Sequence, residues 1–211
     1  LGEGAKHLYV FQRTPSSVDV RNNAPTDPEW VKSLKPGWQQ ERMENFNVVV
    51  SGGDVEEDLV KDGWTDIFRN LTGVVAKQAA RKLGRRLSPQ ERGELMELAD
   101  YMKMNQVRSR VDEIVTDPAT AEKLKPWYRQ FCKRPCFHDE YLQTFNRPNV
   151  TLVDTEGRGV ERITKTGAVV AGREYALDCL VLATGFEVGT DYARRADCEI
   201  VGQGGATLTE K

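Results

Sequence analysis

Residues 7–12 have the sequence HLYVFQ and lead directly into Arg13, Thr14 and Pro15. A short run of apolar, aromatic and β-branched side chains is typical of a strand that is buried in a parallel sheet. We therefore expect a strand at residues 7–12 that ends at Arg13, and an α/β fold if further strands follow it.

Further strand-like segments occur after residue 149. Val150–Val153 is short and β-branched, and residues 169–170 and 174–176 have the pattern of two neighbouring strands of a meander joined at Gly172. Residues 177–183, LDCLVLA, are the most strand-like run of the chain. Strands on both sides of a helical block predict an α/β domain with a helical insertion.

The middle of the chain, residues 38–126, is predicted to be mostly helical. Ser88 to Glu91 read SPQE, a capping box with proline at the first helical position, while Asp27-Pro28 and Asp117-Pro118 each predict the start of a shorter helix. Residues 16–40 are otherwise expected to form an extended surface loop. The apolar faces of the long helices are expected to contain Trp64, Ile67, Phe68, Leu71, Val74 and Val75, and then Leu95, Leu98, Met102, Val107, Val111 and Ile114.

Composition excludes several classes of function. The chain has 211 residues and a net charge of −2, so it has no general attraction for nucleic acid or anionic lipid. No apolar run approaches the roughly 20 residues of a membrane helix, and no signal peptide is recognisable. Four cysteines in a chain of this length do not form a disulfide framework. We expect a cytoplasmic protein, and the start at Leu1 without methionine suggests a fragment of a longer one.

Arg13 and Thr14 are candidate cofactor-binding residues because they follow the first strand. In dinucleotide-binding α/β folds an acidic residue near this point binds the ribose hydroxyl of NAD, whereas arginine suits the 2′-phosphate of NADP. An ordinary surface arginine is the alternative, and it is favoured when the dipeptide is considered alone. The glycine-rich loop GxGxxG of such folds is not found in the sequence.

Lys133 and Arg134 place two cations side by side, which indicates a nearby phosphate or oxyanion, with a solvated basic turn as the alternative. Cys132 and Cys136 flank this pair, but with a lone His138 they are weak evidence for zinc, and we expect buried, inert thiols. Asp139 and Glu140 are explained equally well as a capped helix start.

Thr184 and Gly185 follow the strand predicted at residues 177–183. A strand that ends in Thr-Gly gives a tight turn at which the backbone can approach a ligand. A plain exit from a strand into a loop is the alternative.

Three segments resemble the flavin-dependent Baeyer–Villiger monooxygenases, and the resemblance is closest to the branch that acts on cyclic and bulky ketones. They are VFQRTPSSVDVRNNAPTDPEW from residue 10, FCKRP…YLQTFNRPNVTLVDT from residue 131, and LDCLVLATGF from residue 177. In that family NADPH reduces FAD, and one oxygen atom of O₂ is inserted beside a ketone carbonyl to give an ester or lactone. The resemblance implies FAD and NADPH as cofactors, and a small-molecule ketone and O₂ as substrates.

The resemblance also implies roles for single residues. Arg13, Thr14 and Lys133 match residues that hold the 2′-phosphate end of NADPH, and Arg134 matches the active-site arginine beside the flavin. Thr184 and Gly185 match the turn where the chain passes between the two cofactor domains.

The division of the chain that the resemblance implies has four parts. Residues 1–37 and 127–148 belong to a Rossmann-like NADPH-binding domain, residues 38–126 to its helical insertion, and residues 149–211 to strands that return toward the FAD domain. Two alternatives remain open, a flavin monooxygenase that oxidises nitrogen or sulfur and a non-catalytic helical or Rossmann-like interaction module.

Overall fold

A computed structural model describes residues 1–53, 55–71, 74–185 and 189–210. The elements in chain order are β1 (Leu8–Gln12), β2 (Val18–Asp19), α1 (Pro28–Ser33), α2 (Trp38–Val50), α3 (Gly63–Leu71), α4 (Val74–Leu83), α5 (Pro89–Ile114), α6 (Pro118–Leu124), β3 (Cys136–Phe137), α7 (Tyr141–Thr144), β4 (Val150–Asp154), β5 (Arg162–Ile163), β6 (Gly167–Val170), β7 (Arg173–Ala176) and α8 (Tyr192–Ala196). The α/β class expected from the sequence is confirmed.

Strand β1 pairs in parallel with β4, in a register that joins Leu8 to Val150 and Gln12 to Asp154. Both strands lie where the sequence predicts them. Strand β1 is only half-buried along most of its length, with Gln12 its one buried residue. The expectation of a fully buried strand was wrong because, in the part of the chain that the structure describes, this sheet has two strands.

The helical middle forms as predicted, and α2 to α6 span residues 38–124. Asp27 caps α1, and Ser88 with Glu91 forms the predicted capping box at the start of α5. Asp117 caps α6 by accepting a hydrogen bond from the Thr120 backbone. The residues predicted to form one amphipathic face after Trp64 belong to two helices, α3 and α4, and the side chains of Leu71, Val74 and Val75 lie outside the described residues.

The apolar face of α5 differs from the predicted one. Leu98 and Met102 are 53% and 58% exposed, whereas Met104, Val107 and Val111 are buried as the helix continues. Val107 and Val111 were predicted correctly. The first half of α5 contacts α3 and α4 and buries positions other than the predicted ones. None of the helices in the described ranges combines the length and apolar character that a membrane span would require.

One buried cluster joins the C-terminal half of the helical middle to the parallel strands. It consists of Val111, Val115, Ala121, Leu124, Leu142, Phe145 and Val150, with Leu8, Val10 and Leu152 packed against it. Burial of apolar side chains contributes roughly 25 cal/mol per Å². The cluster fixes α5, α6 and α7 against β1 and β4, and so it fixes the point where β1 ends at Arg13.

Strands β6 and β7 form the predicted meander, with Gly172 in the turn at a φ of 75°, and β5 adds a third antiparallel strand that was not predicted. The meander packs on the parallel pair through Tyr175, whose ring lies 5.2 Å from Tyr9 and 5.5 Å from Phe11. Residues 177–183 were wrongly predicted as a strand. They form no ladder and are largely exposed, since the structure describes no strand beside them, and Leu182 is 72% exposed.

Candidate cofactor-binding site

Two segments that are distant in sequence meet beside the end of β1. Strand β2 pairs in parallel with β3, joining Val18 to Cys136 and Asp19 to Phe137. Backbone hydrogen bonds of 3.0 Å from Cys136 to Ser17 and of 2.9 Å from His138 to Asp19 extend this pairing. The extended loop predicted at residues 16–40 therefore contains a short strand. We call residues 13–19 and 128–138 the joined segments.

Arg13, Thr14 and Lys133 lie together at the start of the joined segments, and we call them the basic cluster. The Lys133 ammonium donates to the Thr14 carbonyl oxygen at 3.3 Å. The aliphatic part of Arg13 packs on Gly159, where a β-carbon would lie 3.3 Å from its Cδ. The Arg13 carbonyl accepts from Gly157 at 3.0 Å, so the loop after β4 supports this residue. The structure thus places close together the three residues that, by the family resemblance, hold the 2′-phosphate end of NADPH.

The basic cluster concentrates positive charge. Burial lowers the pKa of Lys133, and the positive charge of Arg13 lowers it further. Within residues 1–53, 55–71, 74–185 and 189–210, neither Arg13 nor Lys133 forms a salt bridge with a carboxylate. Two neighbouring cations without an anionic partner repel each other, and a phosphate between them would remove that repulsion.

Arg134 faces different surroundings from Lys133, although the two are adjacent. Its guanidinium lies 5.8 Å from the ring centroid of Trp64 in α3. Trp64 packs edge-on against Phe137 at 5.3 Å. Gly63 allows this approach because a β-carbon there would lie 2.2 Å from the Phe137 ring. The helical middle therefore holds Arg134 on an aromatic surface, while its charged end stays exposed.

Thr184 and Gly185 are exposed and, in the described part of the chain, share no hydrogen bond with the basic cluster. Gly185 has a φ of 81°, a left-handed conformation that suits glycine. Phe186, which completes the predicted motif, lies outside the described residues, so the tight turn stays a prediction.

Two expectations about the residues around Lys133 and Arg134 were wrong. Cys132 and Cys136 are exposed free thiols, not buried ones, because short strand β3 lies at the surface. Asp139 does not cap α7. Its carboxylate accepts hydrogen bonds from the backbone of Arg21, Asn22 and Asn23 at 2.9, 2.9 and 3.1 Å, and these bonds lower its pKa.

His138 has a structural contact. Its Nδ1 accepts from the Glu140 backbone at 3.0 Å. Among the described residues, no three or more His, Cys, Asp or Glu side chains lie together in a way that could hold a metal ion.

Sequence reasoning missed Tyr128 and the partnership of Arg134 with Trp64. The Tyr128 hydroxyl bonds to the backbone of Pro15 and Ser17, more than 110 residues away in sequence. No spacing rule reports a contact over that distance. Trp64 was assigned to a helix face, and its contact with Arg134 depends on how α3 packs on β3.

The described part of the chain is an α/β segment in which the basic cluster follows the first parallel strand. No family model matches the sequence. Over its whole length, however, the chain is a homologue of one segment of the Baeyer–Villiger monooxygenases.

Two curated relatives carry this identification. Baeyer–Villiger monooxygenase ATR8 of Stachybotrys chlorohalonatus is 56% identical over 211 residues, which are 100% of this chain and 33% of that protein. Neopentalenolactone D synthase of Streptomyces avermitilis is 57% identical over 213 residues, covering 100% of this chain and 35% of that one. The chain thus spans about a third of the length of these relatives.

Solved structures agree. The polycyclic ketone monooxygenase of Thermothelomyces thermophila has a TM-score of 0.79 and 44% identity, over 100% of this chain and 34% of that one. The complex of OTEMO with FAD and NADP has a TM-score of 0.66 and 25% identity, over 99% of this chain and 38% of the other. The resemblance inferred from the sequence motifs is confirmed.

Proposed function

We propose that the chain is part of an FAD- and NADPH-dependent monooxygenase that inserts one oxygen atom from O₂ next to a ketone carbonyl, giving an ester or lactone. The observation that carries the proposal is the similarity to Baeyer–Villiger monooxygenases along the entire chain. The basic cluster supports the NADPH part, because Arg13 and Lys133 lie close together without a carboxylate partner among the described residues.

The proposed role of the basic cluster is to bind the 2′-phosphate of NADPH. Arg13 offers a planar fork that pairs with two phosphate oxygens, and Lys133 adds a compact positive charge. The Thr14 hydroxyl is exposed beside them and supplies one more donor. A bound dianion would reverse the lowering of the Lys133 pKa, since it would outweigh the repulsion from Arg13.

The proposed role of Arg134 is to stabilise negative charge that develops on oxygen during its transfer. FAD, when bound, supplies the electrons and activates O₂. Arginine remains charged at any working pH, and a charge held in advance costs no reorganisation during the reaction. Contact with Trp64 supports this role, because it restricts a long side chain to one region.

The domain division proposed for the chain has residues 1–37 and 127–148 in a Rossmann-like NADPH domain, residues 38–126 as its helical insertion, and later strands leading toward the FAD domain. Pairing of β4 with β1 supports adding residues 149–154 to the NADPH domain. A cytoplasmic location remains a prediction from the cysteine content.

The test is product analysis with the full-length protein, NADPH, a bicyclic ketone and isotopically labelled O₂. We expect a lactone that contains one labelled oxygen atom. Parallel reactions with an amine and a sulfide serve as controls. Formation of N-oxide or sulfoxide without lactone would favour the nitrogen- or sulfur-oxidising alternative, and a colourless protein that binds neither cofactor would favour the interaction module.

A further inference from the structure

Tyr128 fastens the loop that carries Arg13 and Thr14. Its hydroxyl donates to the Pro15 carbonyl oxygen at 2.9 Å and accepts from the Ser17 backbone N–H, also at 2.9 Å. The two bonds lie on either side of Ser16, so one hydroxyl fixes the backbone just after the basic cluster. Ser17 is buried, and its backbone has no solvent to replace this partner.

The same side chain also positions the lysine of the basic cluster. The Lys133 ammonium lies 5.6 Å from the centroid of the Tyr128 ring, and from there it reaches the Thr14 carbonyl. The hydroxyl of Tyr128 therefore holds the backbone at Pro15 and Ser17, and its ring face contacts Lys133. Burial raises the pKa of Tyr128, so the hydroxyl keeps the proton that it donates to Pro15.

We propose that Tyr128 is a positioning residue that sets the distance between Arg13 and Lys133 and thereby the preference for NADPH over NADH. The inference rests on the proposed function, since it requires that the basic cluster binds the 2′-phosphate. A phosphate is held by several donors only when all of them stand at hydrogen-bonding distance, so a small displacement of the loop weakens every contact together. NADH lacks the 2′-phosphate and is insensitive to that displacement.

The decisive variant is Tyr128→Phe in the full-length holoenzyme, because it removes both hydrogen bonds and keeps the ring under Lys133. Loss of two neutral hydrogen bonds predicts a KM for NADPH that rises roughly 5- to 30-fold. We expect the KM for NADH and the kcat at saturating NADPH to stay unchanged. A ratio of two KM values does not depend on the fraction of folded enzyme, so partial unfolding cannot imitate this result.

Tyr175→Phe is the matched control. Tyr175 is a half-buried tyrosine on β7 whose ring packs against Tyr9 and Phe11 and not against Tyr128 or Lys133. Its NADPH to NADH ratio should equal that of the wild type. Equal changes in both KM values for Tyr128→Phe, or no change in either, would overturn the inference.

Arg13→Ala distinguishes a failure of the positioning role of Tyr128 from a failure of the phosphate site itself. If Arg13→Ala lowers the preference for NADPH and Tyr128→Phe does not, the phosphate site stands and the positioning role is wrong. If Arg13→Ala leaves the preference unchanged, the proposed phosphate site itself is wrong.

Discussion

The joined segments and residues 177–185 were both expected to contact cofactor, yet the structure treats them differently. The joined segments are tied together by β2–β3 pairing, by Tyr128 and by the contact of Lys133 with Thr14. Residues 177–185 form no ladder in the described ranges, and Val181 and Leu182 are 65% and 72% exposed.

The basic cluster is held by contacts within this chain, whereas residues 180–182 lack such contacts in the part of the chain that the structure describes. The apolar residues at 180–182 have the composition of a buried strand but no neighbouring strand here to satisfy their backbone. We expect their partners to come from parts of the full-length protein outside this chain.

The largest expected effect is at the exposed apolar segment. In the full-length protein, Leu182→Asp should lower the free energy of unfolding by about 3–5 kcal/mol, because it would bury an uncompensated charge. Lys165→Asp is the control, since Lys165 is a charged, exposed residue between β5 and β6 and should tolerate the change within about 0.5 kcal/mol. Denaturant unfolding measures both. Equal, small effects would mean that residues 180–182 stay open in the full-length protein as well.

The next effect concerns the joined segments. Arg134→Ala should leave NADPH-dependent reduction of FAD intact and reduce oxygen insertion by roughly 10²- to 10³-fold, the usual loss when one group that stabilises developing charge is removed. Stopped-flow absorbance follows the reduction, and chromatography follows the ester. Arg129→Ala is the control, because Arg129 is an exposed arginine paired with Glu97. Normal ester formation by Arg134→Ala would remove this residue from the reaction.

A smaller effect is expected where the helical middle holds the joined segments. Arg110 of α5 donates to the carbonyl oxygens of Val18 and His138, at 3.1 and 3.2 Å. Arg110→Ala should cost about 1.5–3 kcal/mol of stability, the range for hydrogen bonds from a charged group. Arg92→Ala, an exposed position on the same helix, should cost less than about 0.5 kcal/mol. Indistinguishable unfolding curves for the two variants would contradict the role of α5 as a clamp.

Local signals in the sequence predicted much of this fold. Strands β1 and β4, the caps at Asp27, Ser88 and Asp117, and the turn at Gly172 depend on residues close to one another in sequence. Arg13, Thr14 and Lys133 were grouped only through the resemblance to a known family, because each of them taken alone fits an ordinary surface residue.

Features that depend on distant contacts could not be predicted. Strands β2 and β3 have two residues each and exist only because they pair with one another. The hydrogen bonds of Tyr128 join positions more than 110 residues apart. Residues 177–183 have the pattern of a buried strand. Such a pattern indicates that a segment can form a strand beside neighbouring strands, and it does not indicate whether this chain contains those strands.

We propose above all that Arg13, Thr14 and Lys133 form the site for the 2′-phosphate of NADPH. The most direct test is calorimetric titration of the full-length protein and its Arg13→Ala variant with NADPH and with NADH. The control is Arg147→Ala, an exposed arginine paired with Glu3 near the opposite end of β1. Loss of charge-assisted hydrogen bonds predicts that Arg13→Ala raises the Kd for NADPH about 10- to 150-fold, with the Kd for NADH unchanged. An unchanged Kd for NADPH, or equal weakening of both coenzymes, would contradict the claim.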